Sequence, residues 1–290
     1  MTAPAAAVNA RPRGAKALRR FLRNRLGVVG LVIVVAFSVM AAFAPVLAPY
    51  DPAQQSLLER RKGPSAEHLL GTDEFGRDIL SRVIYGARVS LVVAVASVGI
   101  GLVLGTALGA LAGYVGGAVD TVVMRTMDLL LAFPYLLLAI VIVAVLGPGL
   151  ANTIIAIGIW AVPNFARVAR SAIVQMKERD FVAAARALGA KDGRIVGRHL
   201  VPNIVSTLVV YASLYLAYAI LMEAALSFLG LGVQPPTASW AVMIASGRNY
   251  ITSAPHIATI PGLAIALAVL GFNLLGDALR DVFDPRAQQA

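Results

Sequence analysis

The chain contains no cysteine. Disulfides, cysteine-ligated zinc and cysteine-ligated iron–sulfur clusters are therefore excluded. Charge is also scarce: Asp, Glu, Lys and Arg make up 14% of the 290 residues, against about 25% in ordinary soluble domains. Only four lysines occur (Lys16, Lys62, Lys177, Lys191), and none is followed by Ser or Thr, so the phosphate-binding pattern GxxxxGK[ST] is missing. GxSxG and HExxH are missing too, and the three histidines (His68, His199, His256) are far apart. No nucleophile, acid/base pair or metal cluster stands out, so a membrane enzyme is disfavoured and no metal or cofactor is expected in this chain.

What the sequence has is apolar length. Hydrophobic residues make up 59% of it and the mean hydropathy is +0.79. A spanning helix needs about 20 mainly apolar residues, and six segments qualify: 26–48, 88–113, 127–147, 151–170, 205–229 and 257–279. The fold class is an all-α polytopic membrane protein with six transmembrane helices. The first span is too long for a signal-peptide core of about 7–15 residues.

The net charge of +10 sits beside these apolar runs, which is the topological bias of cytoplasmic loops rather than a nucleic-acid footprint. A leader of seven cations (Arg11, Arg13, Lys16, Arg19, Arg20, Arg23, Arg25) places the N-terminus in the cytoplasm, and an even span count returns the C-terminus there. Loop 171–204 is strongly basic and falls inside; loop 230–256 carries only Arg248 and falls outside. Loop 49–87 also falls outside, although it holds Arg60, Arg61, Lys62, Arg77 and Arg82 among six acids.

Within the second span, Gly101, Gly105, Gly109 and Gly113 recur every four residues and share one helix face, a groove for close helix packing. Pro134 and Pro163 are expected to kink the third and fourth spans. Glu223 is the one ionisable residue expected deep in the membrane. It is read first as hydrogen-bonded to a neighbouring helix or pore-lining, and second as an ion-coupling group.

The stretch DFVAAARALGAKDGRIVGRHLVPN (180–203) departs from its surroundings. Its alanines favour helix. Phe181, Ala184, Ala185 and Leu188 fall on one face by the i, i+3, i+4, i+7 rule, and Gly189 suits a helix C-cap. Composition leaves two uses open: docking into a groove of another protein, or lying on anionic lipid.

Here the sequence resembles a known family. Ala183-Ala184-Ala185, three residues, Gly189, nine residues, then His199-Leu200-Val201-Pro202 is similar to the EAA loop of ABC-importer permeases. Ala183 replaces Glu, His199 replaces Ile and Val201 replaces Leu in that motif. HLLGTDEFGRDILSRVIYGARVSL (68–91), LAPYDP (47–52), EAALSFLGLG (223–232) and NLLGDALRDVFDPR (273–286) resemble the C-type permease of dipeptide and oligopeptide importers.

The resemblance implies a type I ABC-importer (MetI-like) permease fold and a cytoplasmic-membrane importer of di- and oligopeptides. Its parts would be a basic segment (1–25), a first helix and outer loop (26–87), a permease core (88–280) with the EAA loop at 176–204, and a tail (281–290). The implied partners are a homologous B-type permease, two P-loop ATPase subunits that bind ATP and Mg, an extracytoplasmic substrate-binding protein and membrane lipid. Phe181, Ala183, Ala184, Ala185, Leu188, Gly189, Lys191 and Pro202 would couple the chain to an ATPase subunit. The outer loops 49–87 and 230–256, with Trp240 and Tyr250, would be places for the binding protein to dock. Relatives of this architecture also move nickel, glutathione, haem, opines or oligosaccharides. The competing class is an ion-coupled transporter using Glu223.

Overall fold

The computed structural model describes residue 18 and residues 20–283. The leader cations Arg11, Arg13, Lys16 and Arg19, and the tail from residue 284, lie outside the described residues. The described residues are helical, with one isolated bridge between Thr72 and Asp78.

Helix α1 (Arg25–Ala42) starts where the Asn24 side chain accepts the Gly27 N–H at 3.0 Å. Helix α2 (Ile79–Val115) starts well ahead of residue 88 because the Asp78 carboxylate caps it, accepting the Ser81 N–H at 2.7 Å. Then follow α3 (Gly117–Ala132), α4 (Tyr135–Leu146), α5 (Leu150–Lys177), α6 (Asp180–Ala187), α7 (Val201–Phe228), α8 (Trp240–Gly247) and α9 (His256–Phe283).

Four helical stretches are long and apolar enough to cross a membrane: Arg25–Ala42, Ile79–Val115, Asp192–Phe228 and His256–Phe283. The span expected at 127–147 is not one helix. Proline has no N–H and forces the residue before it out of helical geometry. Phe133 is accordingly extended, and α3 meets α4 at 92°. Counted as one span, this bent pair brings the apolar spans to five among the described residues. Pro163, by contrast, stays within an unbroken α5. At 28 residues α5 is long enough to span, but Asn152, Asn164, Arg167 and Arg170 make it more polar than the others.

The strip of α5 that carries Ala161, Val162, Ala166 and Ala169 is small and apolar, and α2 lies directly on it. A Cβ added at Gly101 would stand 2.5 Å from Ala161 Cβ; at Gly105, 2.6 Å from the Val162 carbonyl; at Gly113, 2.9 Å from the Arg170 carbonyl. At Gly109 it would collide with the Ala166 carbonyl oxygen. Backbone therefore meets backbone along four turns, a contact open only to glycine. Two ion pairs hold the C-terminal half of α5 to α3: Arg170 to Asp120 at 2.6 Å and Arg167 to Asp128 at 2.6 Å.

On the opposite side, the two long loops close over the helix ends. All five cations of loop 49–87 that sit against the charge rule have partners there. Arg77 pairs with Asp73 at 2.6 Å and Glu74 at 3.3 Å, and Arg82 pairs with Asp73 at 3.3 Å. Arg60 donates to the Glu74 carbonyl at 2.8 Å, Lys62 meets Glu59 at 3.5 Å, and Arg61 lies over the Tyr250 ring at 5.4 Å. These charges build the loop.

Trp240 is not a docking residue. It is fully buried, its Nε1–H donates to the Val83 carbonyl at 2.9 Å, and its ring meets Phe37 edge-on at 5.0 Å. Anchoring α8 to α1 and α2 buries the large apolar surface of the indole and satisfies its one polar group.

Two outcomes test this architecture. Gly109→Ala will lower the melting point of the purified chain, a loss of about 1–3 kcal/mol from overpacking, whereas Gly99→Ala, with open space beside it, will not. The second concerns His68. Burial pushes its imidazolium pKa down, but hydrogen bonds to Asp78 at 2.9 Å and Glu59 at 3.4 Å outweigh that and raise it above the ordinary 6.5. Its contribution is therefore complete below pH 6.5 and lost as pH rises through the raised value. Proteolysis of the outer loop will accelerate across that window, and His68→Gln will abolish the pH dependence.

Candidate functional site

The loop between α5 and α7 is built as a rigid bracket. Helix α6 ends in a Schellman turn: the Ala190 N–H donates to the Ala185 carbonyl at 3.0 Å and the Gly189 N–H to the Arg186 carbonyl at 2.9 Å. Gly189 sits at φ +78°, left-handed backbone that favours glycine, and no atom approaches the space a Cβ would take. The chain turns at Lys191, makes one helical turn at Asp192–Arg194, and widens into a π-helical stretch, Ile195–Leu200, that runs straight into α7. The wide turn lies just ahead of Pro202, whose ring a regular helix accommodates poorly.

The apolar face expected from spacing is divided. Val182, Ile195 and Leu200 are fully buried and hold the bracket to the body of the protein. Ala185 turns inward onto this core together with Ala190, rather than outward with Phe181. Phe181 is 40% exposed, Leu188 is 88% exposed, and Ala183, Ala184, Gly189, Lys191 and Pro202 are exposed as well. The result is an uncovered apolar edge, Phe181–Ala184–Leu188, on a helix whose other side is anchored. Covering a side chain such as Leu or Phe contributes roughly 1.5–3 kcal/mol.

Sequence reasoning missed the residue that ties this bracket to α2. The Tyr114 hydroxyl hydrogen-bonds the Asp192 carboxylate, accepts from Arg186 Nη2 at 3.4 Å, and the Arg186 guanidinium lies 5.7 Å from the Tyr114 ring centroid. The signal was its place: an aromatic one residue past Gly113, at the end of the glycine face. Val182 was missed because a single valine among alanines carries little periodicity.

Glu223 lies on α7, fully buried. Its carboxyl faces the Ser90 hydroxyl on α2 and Ser239 at the start of α8, but neither oxygen reaches a partner in hydrogen-bonding geometry. Thus the four glycines share one packing face, the coupling-loop residues share one bracket, and Glu223 stands apart from both.

With this geometry in hand, comparison with known proteins is direct. The model of the family described as binding-protein-dependent transport system inner membrane component matches residues 105–289. That of the N-terminal TM domain of oligopeptide transport permease C matches residues 13–64. The chain is 47% identical to the dipeptide transport system permease protein DppC of Alkalihalophilus pseudofirmus, covering 93% of this chain and 89% of the relative. It is 47% identical to the di/tripeptide transport system permease protein DppC of Pseudomonas aeruginosa, covering 93% and 91%. It is 45% identical to the glutathione transport system permease protein GsiD of Pectobacterium atrosepticum, covering 92% and 89%. Among solved structures, an inward-facing conformation of the MetNI methionine ABC transporter matches with a TM-score of 0.57 at 19% identity, over 70% of this chain and 97% of that one. This last likeness is one of fold.

The Tyr114 bridge has a measurable consequence. Tyr114→Phe keeps the ring beneath Arg186 and removes the hydroxyl. Trypsin cleavage after Arg186 and Lys191 in the folded protein will accelerate several-fold, while the melting point of the helical body stays put.

Proposed function

The chain belongs to the family of binding-protein-dependent transport system inner membrane components, and from that premise we propose that it is the permease subunit of an ATP-driven importer of di- and oligopeptides. The observation that carries the coupling part of this reading is the bracket between α5 and α7. Its apolar edge is presented away from its own chain on a helix too firmly anchored to fold back. Such an edge suits a groove in a soluble motor subunit.

In this reading two P-loop ATPase subunits bind ATP and Mg, and this chain hydrolyses nothing itself. Closure of the ATPase pair moves the bracket as a unit. Phe181, Ala183, Ala184, Leu188, Gly189 and Lys191 form the contact. Ala185 sets its tilt from beneath, and Pro202 marks where the bracket joins α7. The bracket continues into α5 on one side and α7 on the other, so a push on it becomes a rigid-body motion of both helices. A homologous B-type permease supplies the other half of the pathway, and an extracytoplasmic binding protein delivers cargo onto the loop-built cap. Both termini lie in the cytoplasm. Peptide cargo is supported by the two dipeptide permeases among the relatives. The glutathione permeases favour a second reading, in which the cargo is that modified tripeptide.

The test is Gly189→Glu. Glutamate at a left-handed position strains the turn and places a charge beside Leu188. The variant will insert and assemble its helices normally, yet ATP-driven peptide uptake in proteoliposomes will fall at least about tenfold, as loss of a single well-packed contact allows. Unchanged uptake would count decisively against this contact.

A further inference from the structure

We propose that a cavity walled by aromatic rings halfway along α7 is a transit site for uncharged side chains of the cargo, favouring peptides with aromatic or large aliphatic residues over acidic ones. The proposal rests on the peptide-import reading above. Tyr211, Tyr215 and Tyr218 recur at i, i+4 and i+7 and share one face of α7. Trp160 of α5 stacks on Tyr215, with centroids 5.3 Å apart and planes at 27°. Tyr135, at the start of α4, approaches Trp160 at 6.0 Å. With Met222 these rings line a cavity of about 510 Å³, within the roughly 300–1,000 Å³ of small-molecule sites.

Depth identifies what this face meets. Tyr215 lies at the middle of α7, roughly 21 Å from its start at the rise of an α-helix. Tyrosines that face lipid gather at the membrane interfaces, where the hydroxyl reaches water. A phenol at mid-depth against acyl chains would have no partner. Tyr218 is 56% exposed and its hydroxyl meets no hydrogen-bond partner among the described residues. A face of this kind belongs against water or polar cargo.

Chemistry then narrows the cargo. No formally charged residue lines the cavity. An acidic side chain entering it would lose water and gain no counter-charge. An aromatic or aliphatic side chain would bury its surface, and a ring would extend a stack already spaced at 4.9–6.0 Å. The Tyr211 and Tyr215 hydroxyls meet each other at 3.5 Å, and the Tyr218 hydroxyl remains for the peptide backbone.

The experiment uses the assembled transporter in proteoliposomes. ATP-driven uptake of the dipeptides Ala-Phe and Ala-Glu is measured for the native protein, Tyr218→Ala and Tyr218→Phe, with the binding protein saturated by each dipeptide. Tyr218→Ala is expected to lower the Ala-Phe to Ala-Glu uptake ratio about fivefold, the scale of one lost aromatic contact. Tyr218→Phe, which keeps the ring, is expected to preserve it. A second measurement does not depend on turnover. The chain has two tryptophans, and only Trp160 reaches this cavity, because Trp240 is fully buried elsewhere. Ala-Phe is therefore expected to shift the part of the tryptophan emission that Trp160→Phe removes from the nucleotide-bound complex, and Ala-Glu is not. An unchanged ratio with unresponsive emission, in vesicles that still import peptides, overturns the site and leaves peptide import standing. Crosslinking of Tyr218→Cys to the second permease, with the cavity filled by it, also overturns the site. Absence of any peptide uptake by the native protein overturns the import reading itself.

Discussion

Direct contact between the backbones of α2 and α5 sets the position of almost everything else. Gly101, Gly105, Gly109 and Gly113 remove the side-chain layer that normally separates two helices, so α2 rests on the carbonyls of Val162, Ala166 and Arg170. A contact of that kind tolerates little sliding, because each glycine meets a particular residue. At its C-terminal end α2 reaches Tyr114 and the bracket; at its N-terminal end Asp78 caps it and His68 ties that cap to the loop. Helix α5 leads through a short link into α6. The bracket is therefore held twice, by chain continuity with α5 and by Tyr114 on the helix packed against α5.

The division between rigid and exposed parts follows from where polar groups find partners. Arg77 is consumed by Asp73 and Glu74, and Arg167 and Arg170 by Asp128 and Asp120. The Arg77 pairs are buried and lock local geometry, Arg170–Asp120 is partly buried, and Arg167–Asp128 is exposed. Among the uncovered apolar surfaces are the Phe181–Leu188 edge and the tyrosine stripe of α7.

Much of this was legible in the sequence, and for physical reasons. Apolar runs and a period-four glycine pattern are set by single residues and need no tertiary information. The helix break at Gly189 was readable because only glycine enters that backbone region cheaply. Other features required the fold. The consequence of Pro134, a right-angle break rather than a kink, depended on whether neighbouring helices held the chain straight, as they do at Pro163. The inward turn of Ala185 depended on Val182 finding a hole beside Ile195. Trp240 looked like an interfacial aromatic because its partners, Val83, Gly86 and Phe37, are distant in sequence. The cations of loop 49–87 ran against the charge rule, which counts cations without asking which are spent on structure, and their partners appear only in the fold.

The way the bracket is anchored has an evolutionary corollary. Its inner residues, Val182, Ile195 and Leu200, are bound to the core, while Gly189, Gly193 and Gly197 have open space around them and Leu188 touches almost nothing of its own chain. Apart from Gly189, whose left-handed backbone strains any other residue, substitutions on the outward side therefore leave folding undisturbed, and selection acts on them only through whatever surface comes to meet them. A permease body built this way can be re-matched to a diverging motor by changes at the rim of one short helix, with no repacking of the membrane-embedded part.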